Sequence, residues 1–311
     1  MLGLLDPAAA DPAGHARAAT ATITDWEHLA ERYQALYATA DPAALLTQVA
    51  AHVRMVTGAL GREHTAVRRR RLLCHRATVA TLAGRLAYED LGDALSGRAF
   101  YSVAVDSARQ AEDDQAAATV LGYTAQLAHC EGMTAAAIDY LAAALAHAER
   151  IPALAPWLAS VQAVIHADSG DHTRAAEVLR RAEPLVDQPA TQPCLLFDYG
   201  PAYLTAASGH THLQAGDHTA ARAALAAALD QLPPTARRAR IFVLVDLATV
   251  EVHAGDVPEA CRYATTAADL LRRAPYATGT ARLRAFRAVA ARPIGSRALR
   301  VLDERLAQLA A

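Results

Sequence analysis

Apolar residues recur at three- and four-residue spacing along almost the whole chain, and the breaks between these runs are themselves regular. Over residues 24–37, Trp26, Leu29, Ala30, Tyr33, Leu36 and Tyr37 share one face of a helix that opens near Thr24. After Asp41-Pro42, a side-chain cap followed by a first-turn proline, Leu45, Leu46, Val49, Val53 and Val56 form a second stripe that stops at Gly58. Further along, the pattern copies itself. Residues 203–232 read as a helix ending at Ala215-Gly216-Asp217 and a second helix carrying Ala221, Leu225 and Ala228 before Pro233-Pro234. Residues 242–271 read the same way, with Ala254-Gly255-Asp256 followed by Ala260, Ala264 and Ala267, so both copies place these residues 5, 9 and 12 positions after the glycine. Glycine supplies the left-handed backbone that closes one helix, and the aspartate caps the next. Gly-Asp is therefore a hinge between antiparallel helices, and the small residues let the second helix lie close against the first.

The same punctuation stands at Gly92-Asp93, Gly132-Met133 and Gly170-Asp171, followed by the pairs Gly97 and Ala104, Ala137 and Ala144, and Ala175 and Ala182. This pattern resembles the tetratricopeptide repeat, whose inter-helix turn is followed by small residues at those offsets. The hinge glycines lie 40, 38, 46 and 39 residues apart, longer than the roughly 34-residue consensus unit. The long step falls where Pro189 and Pro193 mark a loop over residues 186–198. The resemblance implies an all-α, right-handed superhelical solenoid of about five to seven such hairpins. Residues 1–23 read as a linker-like arm without helical period, 24–62 as a leading hairpin that covers the end of the stack, 63–273 as the repeats, and 274–311 as capping helices broken at Pro293-Ile294-Gly295-Ser296. The last stripe, Leu299, Leu302, Leu306 and Leu309, either seals the final repeat or pairs with a second copy of the chain.

Composition narrows the chemistry. A hydrophobic fraction of 53% over 311 residues is enough for a large core, and the abundance of Ala with only 5% aromatics favours helix over sheet. All 30 basic residues are Arg and the chain has neither Lys nor Asn, a bias that fits a GC-rich bacterial genome. A lysine Schiff base and a G-x-x-x-x-G-K phosphate loop are thereby excluded. The net charge of −2 offers no general attraction to nucleic acid or an anionic membrane. No charge-free apolar run reaches about 18 residues, so no membrane span is expected. Cys74, Cys130, Cys194 and Cys261 are dispersed without a C-x-x-C, and with no secretory leader pattern at Met1 the expectation is a cytoplasmic chain with reduced thiols.

Candidate catalytic and metal signals are thin. In His129-Cys130-Glu131 three potential ligands are consecutive, and neighbouring helical side chains diverge too far to meet on one ion. His210 and His212 fail for the same reason, and no nucleophile elbow, zinc-protease motif or dinucleotide loop occurs. Neither a cofactor nor catalysis is expected. Arg68 to Arg71 spread around a helix with no aromatic residue interleaved to stack on bases, which points to solvated or intramolecularly paired side chains rather than a nucleic-acid stripe.

What the repeats offer is a groove. By analogy with the repeat family, side chains 3, 6, 10 and 13 positions before each hinge glycine face the concave wall. Those offsets select Gln126 and His129, Trp157 and Ser160, Tyr203 and His210, and Phe242 and Thr249 as the most ligand-suited positions, with no cation among the mapped residues. An apolar and aromatic wall with sparse polar groups suits a peptide, a protein segment or a small organic effector. The bland alternative is that Trp157, Tyr203 and Phe242 simply pack between neighbouring helices.

Residues 238–248, 254–261 and 280–282, together with the leading run Trp26 to Tyr33, resemble the C-terminal region of XRE-type helix–turn–helix transcriptional regulators of actinomycetes. The resemblance spans residues 20–290. It implies a repeat domain that senses an effector or dimerises on behalf of a DNA-binding module. Residues 4–22 do not read as such a module, so DNA contact by this chain itself is not expected, and a stand-alone protein adaptor is the alternative.

Overall fold

The computed structural model describes residues 12–37, 39–185, 200–290 and 297–309, with side chains from residue 22 onward. All regular elements among them are helical: α1 (Pro12–Leu36), α2 (Pro42–Leu60), α3 (Ala66–Arg85), α4 (Ala94–Ala111), α5 (Asp114–Cys130), α6 (Thr134–Ala148) and α7 (Ala155–Asp168). They continue with α8 (His172–Ala182), α9 (Pro201–Gln214), α10 (His218–Gln231), α11 (Arg237–Ala254), α12 (Val257–Arg273), α13 (Ala277–Val289) and α14 (Arg297–Gln308).

The five hinges fall on the five expected glycines. Gly92, Gly132, Gly170, Gly216 and Gly255 all adopt left-handed backbone, with φ between 73° and 84°. At Gly255 the closing bonds run from its N–H to the Val252 carbonyl and from the Asp256 N–H to the Glu251 carbonyl, and the Asp256 carboxylate then accepts from the Glu259 N–H at 3.0 Å. Asp93, Asp171 and Asp217 cap α4, α8 and α10 in the same way, whereas Met133 offers no side-chain cap to α6. The small residues after each hinge are buried: Ala104, Ala137, Ala144, Ala175, Ala221, Ala228, Ala260 and Ala267 have no exposed surface. The first helices carry further glycines at close contacts. A Cβ on Gly122 would come within 2.4 Å of the Trp157 ring, and one on Gly209 within 2.6 Å of Leu225. Gly209 thus clears space within a hairpin, between α9 and α10, and Gly122 clears it between the first helices α5 and α7 of successive hairpins.

Consecutive first helices also touch one another, α3 to α5, α5 to α7, α7 to α9, α9 to α11 and α11 to α13, and so form the inner layer of the stack. At the N-terminal end α1 and α2 cover α3, burying Ala30, Tyr33, Tyr37, Leu45, Val49 and Val53. At the other end α14 packs on α12 with Leu299 and Leu302 buried and Leu306 and Leu309 partly so, which seals the last hairpin. Helix α2 is long and apolar enough to cross a membrane by length and composition; it carries Arg54, and its apolar stripe packs into the core.

Three features differ from the sequence expectation. Helix α1 begins at Pro12 rather than near Thr24, because an Ala-rich segment with proline in its first turn has helix propensity even where apolar periodicity is missing. Helix α2 runs past Gly58 to Leu60. Helix α3 ends in a π turn, Leu86–Asp90, where the Leu91 N–H reaches back to the Leu86 carbonyl; periodicity alone does not reveal such an insertion. The expected loop at 186–198 and the break at Pro293 to Ser296 lie outside the described residues, as do residues 1–11 of the expected arm.

The four arginines of the basic run are engaged within the chain. Arg68 pairs with Glu63, Arg69 donates to the Leu60 carbonyl, Arg70 to the Ala111 carbonyl, and Arg71 to Glu27 and Thr24.

Glycine spacing yields a direct test. Gly122→Ala should cost about 1–3 kcal/mol, the usual penalty for overpacking, and should shift Trp157 emission because the ring must move. Gly132→Ala meets no atom within 4 Å and should cost about 1–2 kcal/mol from backbone strain alone, with emission unchanged. Urea unfolding followed by tryptophan fluorescence reads both; an unperturbed Gly122→Ala would contradict the close packing.

Candidate functional site

The inner layer concentrates polar chemistry. His129 at the end of α5, Asp168 at the end of α7, His210 in α9, Asp246 in α11 and Arg282 in α13 make one connected row, each from a different hairpin. The His129 Nε2 lies 2.8 Å from one oxygen of Asp168, and the His210 Nε2 lies 2.7 Å from the other. On its far side, His210 Nδ1 stands 2.9 Å from an Asp246 oxygen, and Arg282 donates to the second Asp246 oxygen at 2.5 Å. Both carboxylates thus accept on both oxygens.

Burial sets the electrostatics. The side chains of His210 and Asp246 are 2% and 3% exposed, against 27% for Asp168 and 30% for Arg282. Burial on its own would lower the His210 pKa, but Asp246 and the bond to Asp168 reverse it and raise the imidazole to about 9. Burial would raise Asp168 and Asp246, but hydrogen bonds from His129 and His210 hold Asp168 well below the usual carboxylate range, and Arg282 with His210 lowers Asp246. His210 is therefore an imidazolium that donates from both nitrogens. The Arg282 Nη2 also lies 3.2 Å from His210 Nδ1; that nitrogen already donates to Asp246, so the two cations are neighbours bridged by one carboxylate rather than a bonded pair. Arg282 also covers the Phe242 ring at 3.9 Å.

A second polar cluster closes the inner wall between its ends. Arg238, at the start of α11, donates to Asp90 of the π turn at 2.5 Å and 3.1 Å, and Thr278 of α13 donates to the Glu89 carbonyl at 3.3 Å. The Tyr37 ring lies between two guanidinium groups, Arg238 at 4.0 Å and Arg85 at 4.8 Å, and Arg85 pairs with Glu89. Elements distant in sequence meet here through charge. In the leading hairpin, His52 and His75 form a separate buried contact, Nε2 to Nε2 at 3.0 Å; desolvation lowers both, His75 to about 3, so this pair is neutral.

The residues selected from sequence have different fates. His129, His210 and Phe242 come together around Asp168 and Arg282. Trp157 is 5% exposed, packed on Gly122 and tilted against Tyr123 at 5.0 Å. Ser160 and Thr249 spend their hydroxyls on carbonyls of their own helices, Trp157 and Val245. Gln126 and Tyr203 are half-buried. The wall is more charged than the offsets implied: Arg85, Arg238 and Arg282 all face inward, and none stands at a mapped position. His129, Cys130 and Glu131 turn three ways, His129 to Asp168, Cys130 beside Tyr88 and Glu131 to Arg98. One signal for the missed residues was present: Asp246 is the single acid in the apolar run Ile241 to Ala248, and a buried charge needs a partner. Asp168 stands two residues before its hinge glycine, one short of the nearest mapped offset, and Arg282 follows the last hinge.

No family model matches the chain, and no curated protein matches it. Among solved structures, it is similar to a tetratricopeptide repeat protein from Parabacteroides merdae, with 12% identity and a TM-score of 0.45 over 93% of this chain and 100% of that one. At that distance the hairpin architecture stands on the helices and hinges described above.

The His210 imidazolium makes stability depend on alkaline pH. Its pKa in the folded chain lies above the ordinary 6.5, so its contribution is full below pH 6.5 and is lost as pH rises through about 9. The urea midpoint of the wild type should fall between pH 7 and 9.5. In His210→Gln, which carries no titrating charge at this position, the midpoint should be lower at pH 7 and nearly flat across that window; parallel profiles would contradict the assignment.

Proposed function

We propose that this chain is a non-catalytic binding domain that responds to an effector in transcriptional regulation, its hairpins wound as a right-handed tetratricopeptide-like superhelix. The observation that carries the reading is the inner row itself. Five successive hairpins each contribute one side chain to a single chain of charge-assisted bonds, so a ligand that displaces one member alters the constraint on the others. Asp168, His129 and Arg282 remain partly accessible at its edge, which gives such a ligand a point of entry. His210, doubly bonded and protonated, is not a general base, and this favours recognition over catalysis.

The transcriptional part rests on the likeness of residues 238–248, 254–261 and 280–282 to the C-terminal region of XRE-type regulators. Internal pairing of Arg68 to Arg71 favours action through a partner rather than direct DNA contact, in the cytoplasm. A stand-alone adaptor is the second reading, favoured by the solvent-exposed Leu91, Leu95 and Met133 beside the hinges at Gly92 and Gly132.

Genome-wide transcript measurement tests the proposal. Deletion of the gene should change a restricted set of transcripts, and Gln126→Ala, a half-buried inner-wall substitution, should change the same set while leaving the unfolding temperature within about 2 °C of wild type, a shift worth under 1 kcal/mol. An unchanged transcript profile in the deletion strain would overturn the regulatory reading.

A further inference from the structure

Charge is spread unevenly along the chain. Of its 30 arginines and 32 acids, nine arginines and two acids fall in residues 272–305, the stretch whose helices seal the last hairpin. We propose that the outer face of α14, together with the end of α12, docks an acidic protein segment that carries apolar side chains among its carboxylates. This surface lies apart from the inner row and goes beyond the effector reading.

Helical spacing makes the surface contiguous. Arg297, Val301 and Arg305 follow one another at i, i+4 and i+8 along α14, so they form one stripe. Arg297 is exposed and makes no side-chain bond among the described residues. The stripe crosses to α12 at Asp269, which lies 3.5 Å from Arg305 and 3.6 Å from Arg272. That one carboxylate attracts both cations, yet its Oδ1 accepts no hydrogen bond. The N–H groups of Arg272 and Arg305 are therefore open to a second carboxylate.

The neighbouring acids do not cancel this charge. Asp303 is held by Arg287, and Glu304 stands one turn from Arg300, which has an interaction of its own within the chain. What remains is three guanidinium groups, Arg272, Arg297 and Arg305, against the single carboxylate of Asp269. Guanidinium takes a carboxylate through two parallel N–H bonds, which adds specificity to the attraction. Val301, 39% exposed between two arginines, favours a partner with apolar side chains, which a phosphate backbone lacks. Helix α14 also has no aromatic side chain on which a base would stack. Both features favour a protein segment over nucleic acid.

Fluorescence anisotropy with the intact chain at low ionic strength tests the surface. The probes are a labelled peptide of Leu-Glu-Glu-Glu repeats, its counterpart with Gln in place of Glu, and a labelled DNA duplex. The Glu peptide should bind saturably and the Gln peptide should not. Arg297→Glu and Arg272→Glu should each weaken the Glu peptide about tenfold, the scale of one lost charge-assisted hydrogen bond, and Val301→Ser should weaken it by less. Arg109→Glu, on the exposed face of α4, should leave binding unchanged. Circular dichroism confirms that each variant is folded; Arg297 holds no other side chain, so its reversal should leave the fold intact. Failure of the Glu peptide to bind, equal binding of the Gln peptide, undiminished affinity in Arg297→Glu, or tighter binding of the duplex than of the Glu peptide would overturn the proposal. Each of these results leaves the transcript measurement free to decide the regulatory reading.

Discussion

A carboxylate with 3% of its side chain exposed cannot stay ionised without partners that replace its water, and Asp246 meets that demand by drawing α9 and α13 onto α11. His210, protonated in answer, needs a second anion, and takes it from Asp168 at the end of α7. Asp168 in turn holds His129 of α5. Each bond is required by the charge before it, so the inner helices of successive hairpins are fastened in order. Removing one partner would strand a buried charge, a change that typically costs about 3–5 kcal/mol.

Such a row can exist only because the hairpins are thin. Ala or Gly at the hinge-proximal positions, with Gly84 and Gly209 on the facing helices, bring the outer helices close, and Gly122 lets α5 approach α7. Large side chains fill the space that remains: Tyr123 and Trp157 of the inner helices meet Tyr101 of α4 in an aromatic cluster at one end, and the charged row occupies the other. The π turn at Leu86–Asp90 then places Asp90 opposite Arg238, and the two ends of the wall meet.

This division explains what could be read from the residues. The hairpins were legible because their rule is local: Gly-Asp followed by small residues at fixed spacing specifies a hinge whatever lies around it, and all five glycines adopt the backbone it requires. The inner wall was only partly legible. His129, His210 and Phe242 were placed by repeat offset and do converge, but their partners Asp168 and Arg282 stand at no repeating offset, since a cross-hairpin ion pair is set by tertiary packing rather than sequence period. The seam was invisible for a stronger reason: Asp90 and Arg238 are separated by 148 positions, and nothing in either neighbourhood signals the other. Ala-rich α1 shows the converse, a helix whose propensity is local and whose start apolar periodicity missed.

If an effector binds as proposed, a closed inner wall changes its task. It would meet an assembled network with a few accessible members rather than an open apolar trough, and could act by competing for those members or by bracing the seam. Both routes presuppose that the row is energetically coupled. A double-mutant cycle on Asp246→Asn and Arg282→Met, read by urea unfolding at pH 7, measures that coupling directly. An interaction energy of about 1–3 kcal/mol is predicted; additivity within about 0.5 kcal/mol, the behaviour of independent sites, would contradict it.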